Sequence, residues 1–133
     1  MAVCEALHAA GPPNVVITSI DKPSSIALVG ASAAPSDSSA GGGDGAFCIE
    51  VAKREQYFGG TGDLLAGLLL AHGTEHPQDL GRAASLAVGC VQGVIARTVE
   101  MSQASGGGQS SGLQLVASRD VILNPPPAEL VAL

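Results

Sequence analysis

The segment Gly60-Thr61-Gly62-Asp63 is the part of the sequence whose residue types and spacing are suited to chemistry. Gly60 and Gly62 permit positive φ angles and let a ligand approach the backbone closely. The apolar stretch that follows reads as a helix, and the first turn of a helix has amide N–H groups without an intrahelical acceptor. These amides and the helix dipole favour an anion, so the segment predicts a cradle for a phosphate group.

Asp63 has two interpretations from its position alone. It is either a first-turn carboxylate that accepts hydrogen bonds from backbone amides, which is the plainer reading, or a carboxylate that acts on a ligand. Two common nucleotide motifs do not fit this segment. Leu68 and Leu69 stand where a P-loop requires Lys and Ser or Thr, and Leu65 occupies the third glycine position of a dinucleotide-binding fingerprint.

Strands dominate the first half of the chain, and they would have to bring other residues to this segment. A continuous apolar run at 15–17 reads as a buried, parallel strand that Thr18 and Ser19 close. A short turn cluster separates it from the next apolar run. Further strands are expected at 26–29 and 47–52, with a weak final strand at 113–116.

Helices are expected at 4–10 and in the middle of the chain. The stretch 64–71 is apolar almost all round, which predicts a buried helix that ends near Gly73. A second long helix is expected over 79–104, with Gly89 and Gly93 serving close packing. Its apolar stripe, at helical steps of three and four, is Leu80, Ala84, Ala87, Val88, Val91, Val94, Ile95, Thr98 and Val99.

The composition excludes several classes of function. The 133 residues suffice for one domain, and 46% are apolar. The formal net charge of -6 argues against nucleic-acid and anionic-membrane partners, which require a basic face. The three cysteines form no CxxC pair, and no apolar run is long enough to span a bilayer, so a cytoplasmic location is expected. The Ala/Ser/Gly-rich segment 31–45 is predicted to be a flexible loop.

A resemblance to a known family covers nearly the whole chain except 31–53. The sequence FGGTGDL at 58–64, followed by an apolar helix, resembles the anion-hole motif of the ribokinase-like small-molecule kinases. Thr61 is more typical of the vitamin kinases than of the sugar kinases in that superfamily. Further stretches, in the same order along the chain, resemble the pyridoxal kinases. These stretches are 11–12 with 15–19, 76–77, 97–99, 113–115 and 118–120.

The resemblance implies a fold and a set of site residues. It implies an α/β fold, with residues 1–133 forming the C-terminal, ATP-binding part of a three-layer α/β/α sandwich whose sheet is incomplete. Asp63 would be the general base on the substrate hydroxyl. Gly60, Thr61 and Gly62 would form the anion hole with their amides. Thr18 would help to bind a monovalent cation such as K⁺ or a phosphate, and Ser19 would lie beside the nucleotide.

The function implied is phosphorylation of the 5′-hydroxyl of pyridoxal, pyridoxine or pyridoxamine by ATP with Mg²⁺, as in vitamin B6 salvage. The full-length family members are commonly homodimers. Two alternatives stay open at this point. One is a non-catalytic remnant that at most binds nucleotide, and the other is a related kinase acting on hydroxymethylpyrimidine or a sugar.

Overall fold

The computed structural model of the chain describes residues 2–33, 45–54, 56–104, 106 and 112–133. Its strands join in one antiparallel sheet in the order β1-β2-β3-β4. In chain order the elements are α1 (Ala2–Ala9), β1 (Asn14–Asp21), β2 (Ser25–Ser32), β3 (Phe47–Ala52), α2 (Thr61–Glu75), α3 (Leu80–Ala104), a 3₁₀ turn (Val116–Ser118), α4 (Arg119–Leu123) and β4 (Val131–Ala132).

Helices cover both faces of this sheet. Val15 of β1 packs with Cys4 of α1 on one face. On the opposite face, Leu28 and Ile49 form a cluster with Val88 of α3, against which part of α2 also packs. Because successive strand residues point to opposite faces, a strand covered on both sides becomes apolar throughout. The expected α/β class with a helix layer on each face of the sheet is therefore confirmed.

The prediction that residues 15–17 form a parallel strand is wrong. Val15 pairs with Ala31, and the whole of β1 runs antiparallel to β2. A parallel pair needs a crossover of a dozen or more residues, whereas only three residues separate Asp21 from Ser25. The continuous apolar run reflects burial on both faces and carries no information about strand direction.

The prediction that the first helix of the middle region is buried all round is also wrong. In α2 the buried residues are Leu68 and His72, whereas Leu70 is 74% exposed. Only one side of α2 packs against α3 and the sheet. An apolar surface therefore faces outward along this helix.

The long helix α3 agrees closely with its predicted bounds and stripe. Ala84, Ala87 and Val94 are fully buried in it. Gly89 and Gly93 serve close packing as expected: a Cβ added at Gly89 would lie 1.7 Å from the carbonyl oxygen of Pro126, and one at Gly93 would lie 2.5 Å from a methyl of Val121. The C-terminal segment therefore lies directly on the backbone of α3.

The predicted final strand at 113–116 is wrong. The backbone amide of Gln114 donates to the Thr98 hydroxyl at 3.0 Å, and the chain then enters the 3₁₀ turn and α4. The last strand is instead β4, beside β3. Of the predicted loop at 31–45, the first two residues extend β2, and residues 34–44 lie outside the described part. Within the described residues, no helix combines the length and apolar character needed to cross a bilayer.

Candidate functional site

Thr18 and Ser19 lie at an irregularity in β1. The pairing with β2 shifts between Ile17 and Ile20, so the two residues between them depart from the regular ladder. Ser19 has a φ of 59°, and it is the one non-glycine residue in the described part of the chain with a positive φ. Bulges re-aim side chains and are frequent beside functional sites. Both side chains are exposed at this point.

The start of α2 presents free backbone amides. The Leu64 amide donates to the Gly60 carbonyl at 3.0 Å, which is the first bond of the helix. The amides of Thr61, Gly62 and Asp63 precede that bond and have no intrahelical acceptor. Gly60 has a φ of 87°, and a Cβ added at Gly60 or Gly62 would meet nothing within 4 Å. The amides of this turn are therefore open to a ligand.

These two segments line the same cavity. It has a volume of about 570 Å³ and lies between the helix-facing side of the sheet and helices α2 and α3. Thr18 and Ser19 border it from β1, and Thr61 and Gly62 border it from the start of α2. Much of the remaining wall is aliphatic, and it includes Ile26, Leu28, Ile49, Val51, Leu65, Leu69, Val88, Val91 and Ile95.

Asp63 and Gly60 are placed differently from the other predicted site residues. Asp63 is exposed in the first turn of α2, beside Gly62, and is not part of the cavity wall. Gly60 caps the helix and is likewise outside the wall. Neither residue is sealed inside packing. The catalytic role of Asp63 stays a prediction.

Two lysines near this end of the sheet are engaged in ion pairs. Lys22 donates to Glu50, and Ser25 donates to the same carboxylate at 3.0 Å. The hydrogen bond from Lys22, followed by the one from Ser25, holds the pKa of Glu50 below its ordinary value, and the bond to Glu50 raises the pKa of Lys22. Lys53 pairs with Asp21 at 2.6 Å. These cations are therefore already neutralised within the protein.

Four further polar residues line the cavity, and none of them was a predicted site residue. They are Arg54, Gln56 and Tyr57, from the segment before α2, and Gln92 of α3. Tyr57 is the sole tyrosine in the sequence, and it is 87% exposed at the cavity. No spacing rule connects the segment before α2 with Gln92, because only the packing of α3 brings the two together at the cavity.

Curated proteins similar to this chain are pyridoxal kinases. The pyridoxal kinase of Arabidopsis thaliana is 37% identical over 125 residues, which is 92% of this chain and 39% of that protein. The pyridoxal kinase of Sus scrofa is 37% identical over 113 residues, covering 80% of this chain and 34% of the relative. The chain thus spans about a third to two fifths of the curated relatives it matches. No protein-family model matches the sequence.

Solved structures of similar fold also include pyridoxal kinases. A pyridoxal kinase from Leishmania donovani in complex with ADP and pyridoxamine matches 96% of this chain with a TM-score of 0.72 and 24% identity, over 41% of its own length. A pyridoxal kinase from Entamoeba histolytica matches 98% of the chain with a TM-score of 0.73 and 20% identity, over 41% of its length. At these identities the comparison establishes the fold, which is the ribokinase-like fold expected from the motifs.

Proposed function

We propose that this chain, which corresponds in sequence and fold to part of a pyridoxal kinase, supplies the ATP-binding part of an enzyme that phosphorylates the 5′-hydroxyl of pyridoxal, pyridoxine or pyridoxamine. One observation carries the proposal. The irregular part of β1 at Thr18 and Ser19 and the glycine turn at the start of α2 border one cavity. The similarity to curated pyridoxal kinases supports the choice of substrate class.

In the proposed reaction the substrate hydroxyl oxygen attacks the γ-phosphorus of ATP while the bond to the β-phosphate oxygen breaks. The hydroxyl proton passes to the Asp63 carboxylate, and ADP leaves. The amides at Gly60, Thr61 and Gly62 stabilise the negative charge on the transferring phosphoryl group. Phosphoryl transfer has a loose transition state, so orientation of the hydroxyl by Asp63 matters as much as its basicity.

The residues present fit a metal that is carried mainly by the nucleotide. The described residues contain no group of three histidine, cysteine or acidic side chains arranged to hold an ion. Mg²⁺ usually keeps several waters and binds through substrate phosphates with few protein ligands. In our proposal Mg²⁺ would enter with ATP and would offset the negative charge of its phosphates. The Thr18 hydroxyl, at the cavity edge, would help to hold a monovalent cation such as K⁺ or a phosphate.

Three broader assignments belong to the same proposal. Residues 1–133 act as a single ATP-binding unit of the kinase fold. The full-length enzyme is a homodimer, and it works in the cytoplasm on small-molecule substrates without a nucleic-acid or membrane partner. These assignments rest on the family resemblance and on the net charge of -6.

The decisive experiment measures formation of pyridoxal 5′-phosphate from pyridoxal, ATP, Mg²⁺ and K⁺. We expect Asp63→Ala to lower kcat by about 10²–10⁴-fold, the typical contribution of a positioned proton acceptor. ATP affinity should change little, because the amides of the turn remain. Glu129→Gln, at an exposed carboxylate outside the cavity wall, is the control. Unchanged turnover in Asp63→Ala would refute the catalytic assignment.

A second candidate is a kinase remnant that binds nucleotide without transferring phosphate. The position of Asp63 favours it, because this carboxylate is exposed and lies outside the cavity wall. The two candidates differ in one outcome. ATP binding by the purified chain without any phosphorylated product would support the remnant.

A further inference from the structure

Arg54 is the one charged side chain among the described residues that line the cavity. It lies between the end of β3 and the glycine turn, and it borders the same cavity as Gly62 and Ser19. The surrounding wall is mostly apolar. Arg54 is itself exposed, so an anion that enters the cavity can reach its guanidinium.

The neighbouring lysines form ion pairs with carboxylates of the protein, whereas Arg54 has no such partner among the described residues. Lys53 pairs with Asp21, and Lys22 pairs with Glu50. The described part of the chain, which omits residue 55, contains no hydrogen bond or ion pair from the Arg54 guanidinium. Since the chain as a whole carries a net charge of -6, a free cation at this opening marks the place where an anion is favoured.

We infer that Arg54 binds the polyphosphate of the nucleotide, at a phosphate group other than the one held by the amides of Thr61 and Gly62. This inference rests on the proposed function and names a binding residue within that site. A guanidinium offers a planar fork of donors that matches two phosphate oxygens. The amides at the helix start provide no formal charge, so Arg54 supplies the positive charge that they lack.

The test compares binding of inorganic tripolyphosphate, ATP and adenosine to the purified chain by titration calorimetry. We expect Arg54→Gln to weaken tripolyphosphate and ATP by about tenfold, as for the loss of one charge-assisted interaction. Adenosine binding should not change. Arg54→Lys keeps the charge and loses the planar fork of donors. Its affinity for tripolyphosphate should therefore lie between those of the unmodified chain and Arg54→Gln. Arg82→Gln is the matched control, because Arg82 is exposed on α3 and outside the cavity.

Several outcomes would overturn the inference. These are equal tripolyphosphate affinities for Arg54→Gln and Arg82→Gln, a loss of adenosine binding as large as the loss of tripolyphosphate binding, and no binding of tripolyphosphate by the unmodified chain. The proposed function fails separately. Absence of phosphate transfer to pyridoxal, with tripolyphosphate still bound through Arg54, would remove the kinase assignment and leave this inference standing.

Discussion

Ser19 holds a backbone conformation that residues with a Cβ seldom adopt, and it does so at the edge of the candidate site. Its φ of 59° accompanies the irregular pairing between Ile17 and Ile20. Such conformations cost about 1–3 kcal/mol and persist only where the surrounding structure fixes them. The family resemblance assigned Ser19 to the nucleotide, and the bulge gives a physical reason why its side chain borders the cavity instead of following the regular strand.

This strain predicts that position 19 tolerates a flexible residue and rejects a β-branched one. We expect Ser19→Val to lower the free energy of unfolding by about 1–2 kcal/mol, because left-handed backbone is least favourable for β-branched side chains. Ser19→Gly should be neutral or stabilising. Urea denaturation measures both. Thr18→Val, at the adjacent residue with ordinary φ, is the control, and an equal loss there would contradict the argument.

At the scale of elements, α3 and the C-terminal segment form one tightly packed unit. The Ala128 amide donates to the Ser85 carbonyl at 3.0 Å, and the Ser85 hydroxyl donates back to the Ala128 carbonyl. Next to this pair, Pro126 lies so close to α3 that Gly89 has no room for a side chain. On the next turns, Arg97 donates to the Ala117 carbonyl and to the Asp120 carboxylate, both at 3.1 Å. The site is thus supported from behind by a rigid helix.

Two glycine-to-alanine substitutions in neighbouring helices should have opposite effects. Gly89→Ala should destabilise the protein by about 1–3 kcal/mol, because the new methyl would overlap the Pro126 carbonyl and force the backbone to move. Gly67→Ala, within α2 where nothing lies within 4 Å, should stabilise it by up to about 1 kcal/mol. Thermal and urea unfolding of both variants measure the difference. Similar effects at the two sites would show that the close approach at Gly89 is wrong.

At the scale of the whole molecule, the site depends on the sheet and helices keeping their spacing. The cavity wall takes residues from β1, β2, β3, α2 and α3, so no single element contains it. The first three strands are joined near their turn by side chains as well as by backbone pairing. Glu50 of β3 accepts from Lys22, in the β1–β2 turn, and from Ser25 of β2. Loss of that carboxylate should loosen the sheet edge next to the cavity.

This connection predicts a pH-dependent stability. The pKa of Glu50 is lowered from its ordinary value of 4.5, so its contribution is complete above that pH and is lost as the pH falls through the lowered value. The pKa of Lys22 is raised from 10.5, so its contribution is complete below that pH and is lost as the pH rises through the raised value. Glu50→Gln should therefore be less stable than the unmodified chain at pH 7, and the difference should shrink in acid.

Urea midpoints measured from pH 2 to pH 8 test this prediction. Glu5→Gln, at an exposed carboxylate of α1, serves as the control, because the described residues show no ion pair at that position. A stability difference between Glu50→Gln and the unmodified chain that stays constant down to pH 2 would contradict the role of the Lys22–Glu50–Ser25 connection.

The sequence by itself determined the glycine motif and several of the elements, although not those after α3. The bounds of β3 and the stripe of α3 followed from periodicity, because side-chain spacing repeats with the geometry of strand and helix. The prediction of a phosphate cradle at 60–62 followed from glycine chemistry next to an apolar helix. The direction of β1 could have been inferred from the short turn that follows it, since a parallel partner requires a longer crossover.

Only the tertiary structure decided which of these residues share a site. Thr18 and Gly62 are distant in sequence and border one cavity because the sheet and α2 pack together. The outward face of α2 around Leu70 could not be predicted, because an apolar pattern shows which residues avoid water and not whether this chain provides enough surface to cover them. Tertiary structure also distinguishes Lys53 from Arg54, which are adjacent cations in the sequence. Lys53 forms an ion pair with Asp21, whereas Arg54 lines the cavity.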